Sequence, residues 1–321
     1  MTLRVLVTGA NGFVGLPLCA RLARAGIDVI AGVRRQSAAL AALTALGAQG
    51  RLRQAELGDL GVAPDWSSAL AGVDALVHLA ARVHVIGASA NPAVIHRINV
   101  EGTLALAEAA ARAGVGRFVF ISSVKAGNEN ADPYSQSKAE AEVRLRDAAE
   151  RLGLACVIVR PPLVYGPRVR ANFLRLMRLI YCGIPLPLAS VSNRRSLVFV
   201  GNLADALHAC ITEPDAIGRT FAISDGEDVS TPDLVRRIAH ALGRPPRLFP
   251  FPVAMLRVAG ALTGLSPAID RLIGDLSVDS SSIRSVLRWR PPYSMEQGLA
   301  ETAAWYLAHR EEPRRGGGNN A

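Results

Sequence analysis

The sequence predicts an α/β protein: a doubly wound parallel sheet followed by a smaller lobe built from the C-terminal half. Three observations carry this. From Leu3 to about residue 160, short continuous apolar runs alternate with Ala/Leu-rich helical stretches, the pattern of parallel strands covered on both faces. The first apolar run ends in a cluster of glycines that opens a helix. After Pro161-Pro162 the alternation breaks, and proline- and arginine-rich segments take over.

Taken in order, Leu3–Thr8 is the first strand, and the helix Leu16–Ala25 follows its glycines. Asp28–Val33, Ala75–Leu79 and Phe118–Ile121 are further apolar strands, the last preceded by the helix Gly102–Ala113. The helix Ser135–Arg151 leads into the strand Val157–Arg160. Beyond it, segments 168–187 and 244–252 surround a return to strand character at Ser196–Val200 and Thr220–Ile223. The first domain is therefore expected over 1–160, rejoined by 196–224, and the second lobe over 161–195 and 225–310. The tail 311–321, containing PRRGGGNN, is expected to be disordered. Phe251–Leu265 is apolar, broken by Arg257 and too short to span a bilayer, so it is expected as a helix of the core or of a pocket wall.

Composition excludes several classes. Half of the 321 residues are hydrophobic and 5% aromatic, which suits a compact α/β chain. The net charge of +9 comes almost wholly from arginines scattered from Arg4 to Arg315 and never clustered beyond pairs. No basic-aromatic surface for nucleic acid is implied: the charge reads first as a solvated arginine-rich surface, with attraction for a small anion as the alternative. Cys19, Cys156, Cys182 and Cys210 form no CxxC and have no histidine at ligand spacing, which argues against a metal site and against a disulfide framework. The chain starts directly on a strand, so no signal peptide and a cytoplasmic location are expected.

Thr8-Gly9-Ala10-Asn11-Gly12-Phe13-Val14-Gly15 lies where the first strand meets the first helix. There Gly9 permits the tight turn, Gly12 lets the backbone approach a pyrophosphate, and Gly15 lets helix and strand pack closely. The helix N-terminus then presents free N–H groups to the phosphates. An NAD enzyme places an acid about 20 residues on to hold the ribose 2′-hydroxyl. This chain instead has Val33-Arg34-Arg35-Gln36-Ser37, while Asp28 sits at the wrong end of its strand. Guanidinium groups there suit a 2′-phosphate, so NADP(H) is the preferred cofactor, with NAD as the alternative.

Tyr134-Ser135-Gln136-Ser137-Lys138 is YxxxK at the start of a helix, where residues four apart share a face. A tyrosine is a poor acid or base at neutral pH, and an ammonium beside it is expected to favour the phenolate. The phenol can then exchange a proton with a substrate hydroxyl. The chain has two lysines, Lys125 and Lys138, and five tyrosines, so chance would supply this spacing roughly 0.03 times. Lys125 follows Ser122-Ser123 at the end of the strand Phe118–Ile121, so both lysines fall in one region. Ser122 reads as a turn residue.

These motifs resemble the extended short-chain dehydrogenases, and in particular the NAD-dependent epimerase/dehydratase family, which includes UDP-glucose 4-epimerase. The stretch Val77–Val85 (VHLAARVHV) is especially like the branch acting on surface-polysaccharide nucleotide sugars. The resemblance runs from Thr2 to about Leu307 and includes Arg160–Pro167 (RPPLVYGP) and Leu287–Pro291 (LRWRP). It implies Ser123, Tyr134 and Lys138 as catalytic residues, Ser123 hydrogen-bonding the reacting oxygen. It implies cofactor contacts at Gly9, Asn11, Gly12, Phe13, Val14, Gly15, Asp59, Leu60, Leu79, Ala80, Ala81, Asn99, Tyr134, Lys138 and Pro161, beside Arg34 and Arg35. Ser123, Lys125, Asn172 and Arg195 are the implied substrate contacts, Arg195 as the phosphate-binding arginine. The implied partner is a nucleotide sugar, with no nucleic acid and no membrane span, and a homodimer is left open.

Two departures from the family pattern stand out. Ser123 and Tyr134 are only 11 residues apart, so the loop Lys125–Pro133 is short. The second diphosphate arginine falls on Leu272, with Arg271 one residue away. The expected chemistry is at C4 of a UDP-linked sugar, leaning to NADPH-dependent reduction of a UDP-4-keto-6-deoxyhexosamine. The alternatives are a 4-epimerase holding NAD tightly and a dehydrogenase of an apolar alcohol or ketone. A non-enzymatic NADP sensor on the same fold is disfavoured by the intact Ser123, Tyr134 and Lys138.

Overall fold

The structure, a computed structural model, describes residues 2–35, 51–82, 91–126, 132–264 and 266–310. Gln36, Ser37, Val83–Val85, residues 127–131 of the short loop and the tail 311–321 lie outside these, so the expectations placed on them are not addressed. In chain order the first elements are β1 (Arg4–Thr8), α1 (Gly15–Arg24), β2 (Asp28–Val33), β3 (Leu52–Glu56), α2 (Ser67–Leu70) and β4 (Ala75–His78). Next come α3 (Pro92–His96), α4 (Gly102–Arg112), β5 (Arg117–Ile121), α5 (Pro133–Leu152) and β6 (Cys156–Arg160). They are followed by β7 (Leu163–Tyr165), α6 (Ala171–Tyr181), β8 (Arg195–Phe199), α7 (Val200–Thr212), β9 (Thr220–Ala222) and β10 (Asp228–Val229). The last are α8 (Thr231–Ala241), α9 (Val253–Thr263), α10 (Ser266–Ile273), α11 (Ser281–Val286) and α12 (Met295–His309).

The chain divides into two compact units. The first comprises 1–162, 200–224 and 278–292, and the second 163–199, 225–277 and 293–321. Compared with the sequence reading, the strand starting at Arg195 lies in the second unit, and 278–292 returns to the first. Within the first unit Trp289 explains that return: its indole N–H donates to Asp205 at 3.0 Å, and Asp205 also pairs with Arg21 of α1 at 2.8 Å.

The first unit holds a seven-stranded sheet in the order β3-β2-β1-β4-β5-β6-β9, every pair parallel. This is the Rossmann arrangement, with the strand order reversing between β1 and β4. The central strands Val5–Val7, Leu76–Val77 and Phe118–Phe120 are fully buried, as strands covered on both faces must be. β3 was not legible in the sequence. It lies at the sheet edge, and of Leu52–Glu56 only Leu52 is buried, so no apolar run marks it.

α3 runs through a π-turn, Arg97–Glu101, into α4. α5 starts where Asp132 caps it by accepting from the Ser135 N–H at 3.0 Å, with Pro133 in the first turn. It stops at Gly153, which adopts the left-handed conformation. In the second unit β7 pairs parallel and β10 antiparallel with β8. There the apolar stretch expected in the core or a pocket wall becomes α9, of which only Leu256 and Gly260 are buried.

Candidate active site

The glycine loop joins β1 to α1 at the carboxyl end of the sheet. Gly9 has φ +67, and a Cβ there would lie 3.0 Å from the Ala80 nitrogen. Gly15 admits no side chain either, because its Cβ would sit 2.3 Å from the Gly9 carbonyl oxygen. The Gly12 N–H donates to that oxygen at 2.9 Å and closes the turn. Asn11 and Gly12 are exposed, Phe13 and Val14 half-buried, and the first turn of α1 carries no acid. The cradle fits a pyrophosphate: the backbone is close, the loop opens at a helix N-terminus, and the first turn of that helix carries no acid.

Leu79, Ala80 and Ala81 follow β4 and adjoin this loop, and the Ala80 N–H donates to Thr8 Oγ1 at 3.2 Å. His78, fully buried, lies between Thr8 Oγ1 at 2.8 Å and Thr103 Oγ1 at 3.0 Å. Thr103 spends its hydroxyl proton on the Asn99 carbonyl, so His78 Nε2 must donate to it and Nδ1 must accept from Thr8. The ring is neutral: burial, helped by the charge of Lys138, pushes its pKa down to about 3. His78 thus fastens the glycine loop to α4, a role the sequence did not disclose.

Asn99 sits in the π-turn, 1% exposed. Its Oδ1 accepts from the Arg82 N–H at 2.8 Å, and its Nδ2 donates to the Arg82 carbonyl at 3.1 Å and Ser137 Oγ at 3.0 Å. Ser137 in turn donates to the Tyr134 carbonyl at 2.7 Å. Both amide hydrogens are committed, so Asn99 clamps the chain after β4 to the first turn of α5.

Other predicted cofactor positions divide. Arg34 and Arg35 are exposed directly after β2, and no ion pair among the described residues engages them. Asp28 pairs with Arg51 at the opposite end of the strand. Asp59 accepts from the Gly61 N–H at 2.9 Å, whereas the Leu60 side chain packs in the core with Leu57 and Trp66. The buried Pro161 accepts through its carbonyl from the Val124 N–H at 3.2 Å.

At the end of β5, Ser123 is half-buried and its Oγ accepts from the Lys125 N–H at 3.2 Å. The Ser122 N–H donates to the Val159 carbonyl at 2.8 Å and continues the β5–β6 ladder. Ser122 is only 2% exposed, so it is a buried strand-end residue rather than the turn residue expected. On α5, Lys138 is 2% exposed; its Nζ donates to the Ile121 carbonyl at 2.7 Å and lies 4.4 Å from the Phe120 ring centre. Burial pushes its pKa down to about 7, opposed by the charge of Glu142. Tyr134 is half-buried, and burial together with Asp132 pushes its phenol up to about 12. Burial and the Asp132 charge thus oppose the phenolate that the expected ammonium would favour.

Sequence reasoning missed Glu142. It lies one turn past Lys138 on the same face of α5, 1% exposed. Arg160 reaches it from β6 with Nε at 2.8 Å and Nη2 at 2.5 Å, and Arg146 with Nη2 at 2.9 Å. The signal was present as Tyr134, Lys138 and Glu142, two successive steps of four.

The second unit holds the predicted phosphate residues. Arg195 opens β8, and its Nη1 donates to the carbonyls of Arg271 and, at 3.1 Å, Gly274. Asn193 fixes the same turn, donating to the carbonyls of Leu272 at 3.0 Å and Gly274 at 2.9 Å. Arg195 and Arg271 are therefore neighbours. Asn172 is exposed in the first turn of α6. Among the described residues no group of three or more His, Cys, Asp or Glu could hold a metal.

The family model described as "NAD dependent epimerase/dehydratase family" matches residues 5–224. A UDP-glucose 4-epimerase from Vibrio cholerae is 38% identical, covering 94% of this chain and 95% of that protein. Among solved structures, DesIV, a dTDP-glucose 4,6-dehydratase from Streptomyces venezuelae with NAD bound, superposes with a TM-score of 0.75 at 27% identity. That match covers 96% of this chain and 98% of the other. MoeE5 in complex with UDP-glucose and NAD gives a TM-score of 0.75 at 26% identity, over 96% and 99% of the two chains.

Proposed function

The chain belongs to the NAD dependent epimerase/dehydratase family, and from that membership we propose an NAD(P)-dependent enzyme working at C4 of a UDP-linked sugar. The observation that carries it is the grouping of Ser123, Tyr134 and Lys138 at the end of β5 and the start of α5, in the unit that carries the dinucleotide cradle. A nicotinamide dinucleotide, when bound, supplies the hydride exchange at the sugar carbon. The residues that would hold it are the Gly9–Gly15 loop, the segment Leu79–Ala81, Pro161, and Arg34 and Arg35 at the ribose end.

The rest is the work of this chain. Tyr134 moves a proton to or from the C4 oxygen, and Ser123 donates a hydrogen bond to that oxygen. Lys138 supplies the positive charge that a phenolate needs, and the Ile121 carbonyl fixes its position. Arg195 is the candidate for the substrate diphosphate, by charge-assisted hydrogen bonding, with Asn172 as a further substrate contact.

Two reactions share this machinery. The exposed Arg34-Arg35 pair, in place of an acid after β2, favours an exchangeable NADPH and hence reduction of a UDP-4-keto-6-deoxyhexosamine. The Vibrio cholerae relative favours the 4-epimerase reading, with NAD retained through turnover. Incubation of the purified protein with UDP-glucose, UDP-N-acetylglucosamine and UDP-4-keto sugars, following NADPH absorbance and product identity, separates them. NADPH consumption with the keto sugar alone supports the reductase. Interconversion of 4-epimers without added cofactor overturns it in favour of the epimerase, and no turnover of any UDP-sugar overturns both.

A further inference from the structure

We propose that helix α9 is a docking surface for an anionic lipid bilayer. Successive residues of a helix are turned by about 100°. Leu256 and Gly260 therefore share one side, and they are the buried residues of α9. Gly260 lies so close to α10 that an added Cβ would be 2.7 Å from Ile269 Cδ1. The opposite side carries Met255, Val258 and Leu262, which are 55%, 59% and 83% exposed. Phe249, shortly before the helix, is 41% exposed. A surface helix ordinarily turns its apolar stripe inward, whereas α9 presents one outward.

The surrounding charge identifies the occupant. From Leu234 to Ile269 the sequence contains five arginines and no aspartate or glutamate. Arg237 is committed to Glu227, Asp233 and Glu296. Arg236, Arg244, Arg247 and Arg257 are exposed, and among the described residues none of them enters an ion pair. Arg244 stacks over the Tyr181 ring and Arg247 donates to the Gly183 carbonyl, contacts that leave their charge uncompensated. An outward apolar stripe on a helix whose surrounding sequence carries cations without ion-pair partners matches the boundary of an anionic bilayer, where headgroups meet the arginines and the apolar stripe enters the acyl region. A second copy of the chain would bring the same cations against each other. The mode is lateral docking: no helix among the described residues is long and apolar enough to cross a membrane. The inference is independent of the sugar chemistry proposed above.

Vesicle flotation with the full-length protein tests it, comparing pure phosphatidylcholine with equal parts phosphatidylglycerol and phosphatidylcholine. The wild type is expected to float with the anionic vesicles and to be released by salt. The triple variant Met255→Ser, Val258→Ser, Leu262→Ser should partition at least about tenfold more weakly, while Val62→Ser, an exposed apolar change elsewhere, should leave partitioning unaltered. Should the triple variant lose its circular dichroism spectrum, Leu262→Glu alone carries the test. Wild type that stays in buffer, or a triple variant that binds equally well, overturns the proposal. So does a dimer in light scattering that the triple variant dissociates, which would assign the face to a second copy.

Discussion

Replacing Glu142 by glutamine keeps the side chain's shape while removing a charge that is 1% exposed. The carboxylate receives three guanidinium hydrogen bonds at 2.5–2.9 Å. A glutamine turns an NH2 donor toward donors at one of these contacts. Neutralising one partner of a buried ion pair costs about 3–5 kcal/mol when the other charge is trapped. Here the Arg160 and Arg146 side chains are 34% and 45% exposed, so water recovers part of the loss, leaving about 2–3 kcal/mol. At roughly 2–4 °C per kcal/mol, Tm falls by about 5–10 °C. The pH dependence supplies a second readout. Burial opposes ionisation of Glu142, but the hydrogen bonds from Arg160 and the charges of Arg160 and Arg146 win, holding its pKa below the usual value. A carboxyl with a depressed folded pKa stabilises above its unfolded pKa and loses that contribution as the pH falls through the folded value. Wild type and variant should therefore differ fully at neutral pH and converge below about pH 4. Scanning calorimetry across pH measures both. Equal Tm values at neutral pH, or a gap that persists unchanged in acid, would refute the argument.

Tyr134→Phe should abolish turnover while leaving dinucleotide affinity nearly intact, and a variant that retains most of its kcat removes Tyr134 from acid–base chemistry. Lys138→Arg should be severely impaired despite its charge, because the planar fork cannot replace a compact ammonium packed against Phe120 and the Ile121 carbonyl. The cofactor-free protein should gain stability as the pH rises from about 7 towards 10.5, since Lys138 binds its proton more weakly folded than unfolded. Lys138→Met should accordingly melt above wild type near neutral pH and lose that advantage in alkali; a constant difference would contradict the burial argument. Gly15→Ala forces a Cβ against the Gly9 carbonyl and the Ala10 backbone, at a cost of about 1–3 kcal/mol, and fluorescence titration should show at least about tenfold weaker dinucleotide binding. Arg34→Asp with Arg35→Ser should weaken NADPH more than NADH by about 1–3 kcal/mol, and a wild type that prefers NADH defeats this directly.

The sequence by itself determined what depends on neighbours along the chain. Strand–helix alternation located eight of the elements between Leu3 and Arg160 to within a residue or two, but not β3, α2 or α3. The glycine spacing marked the cradle, and the step of four from Tyr134 to Lys138 placed both on one face of α5, because helical periodicity is a local property. Tertiary structure decided whatever joins distant segments or depends on exclusion of water. β3 exists because β2 offers it an edge, although its own residues carry no apolar run. His78 finds Thr8 and Thr103, and Glu142 finds Arg160, only when separate strands and helices meet. Arg195 meets the carbonyls of Arg271 and Gly274, partners that no side-chain pattern announces. The protonation of Tyr134 and Lys138 follows the same division: spacing names the pair, but desolvation at the end of β5 sets the charge each holds. Likewise hydropathy marked Phe251–Leu265 as apolar, and packing against α10 decided that the greater part of that surface faces outward.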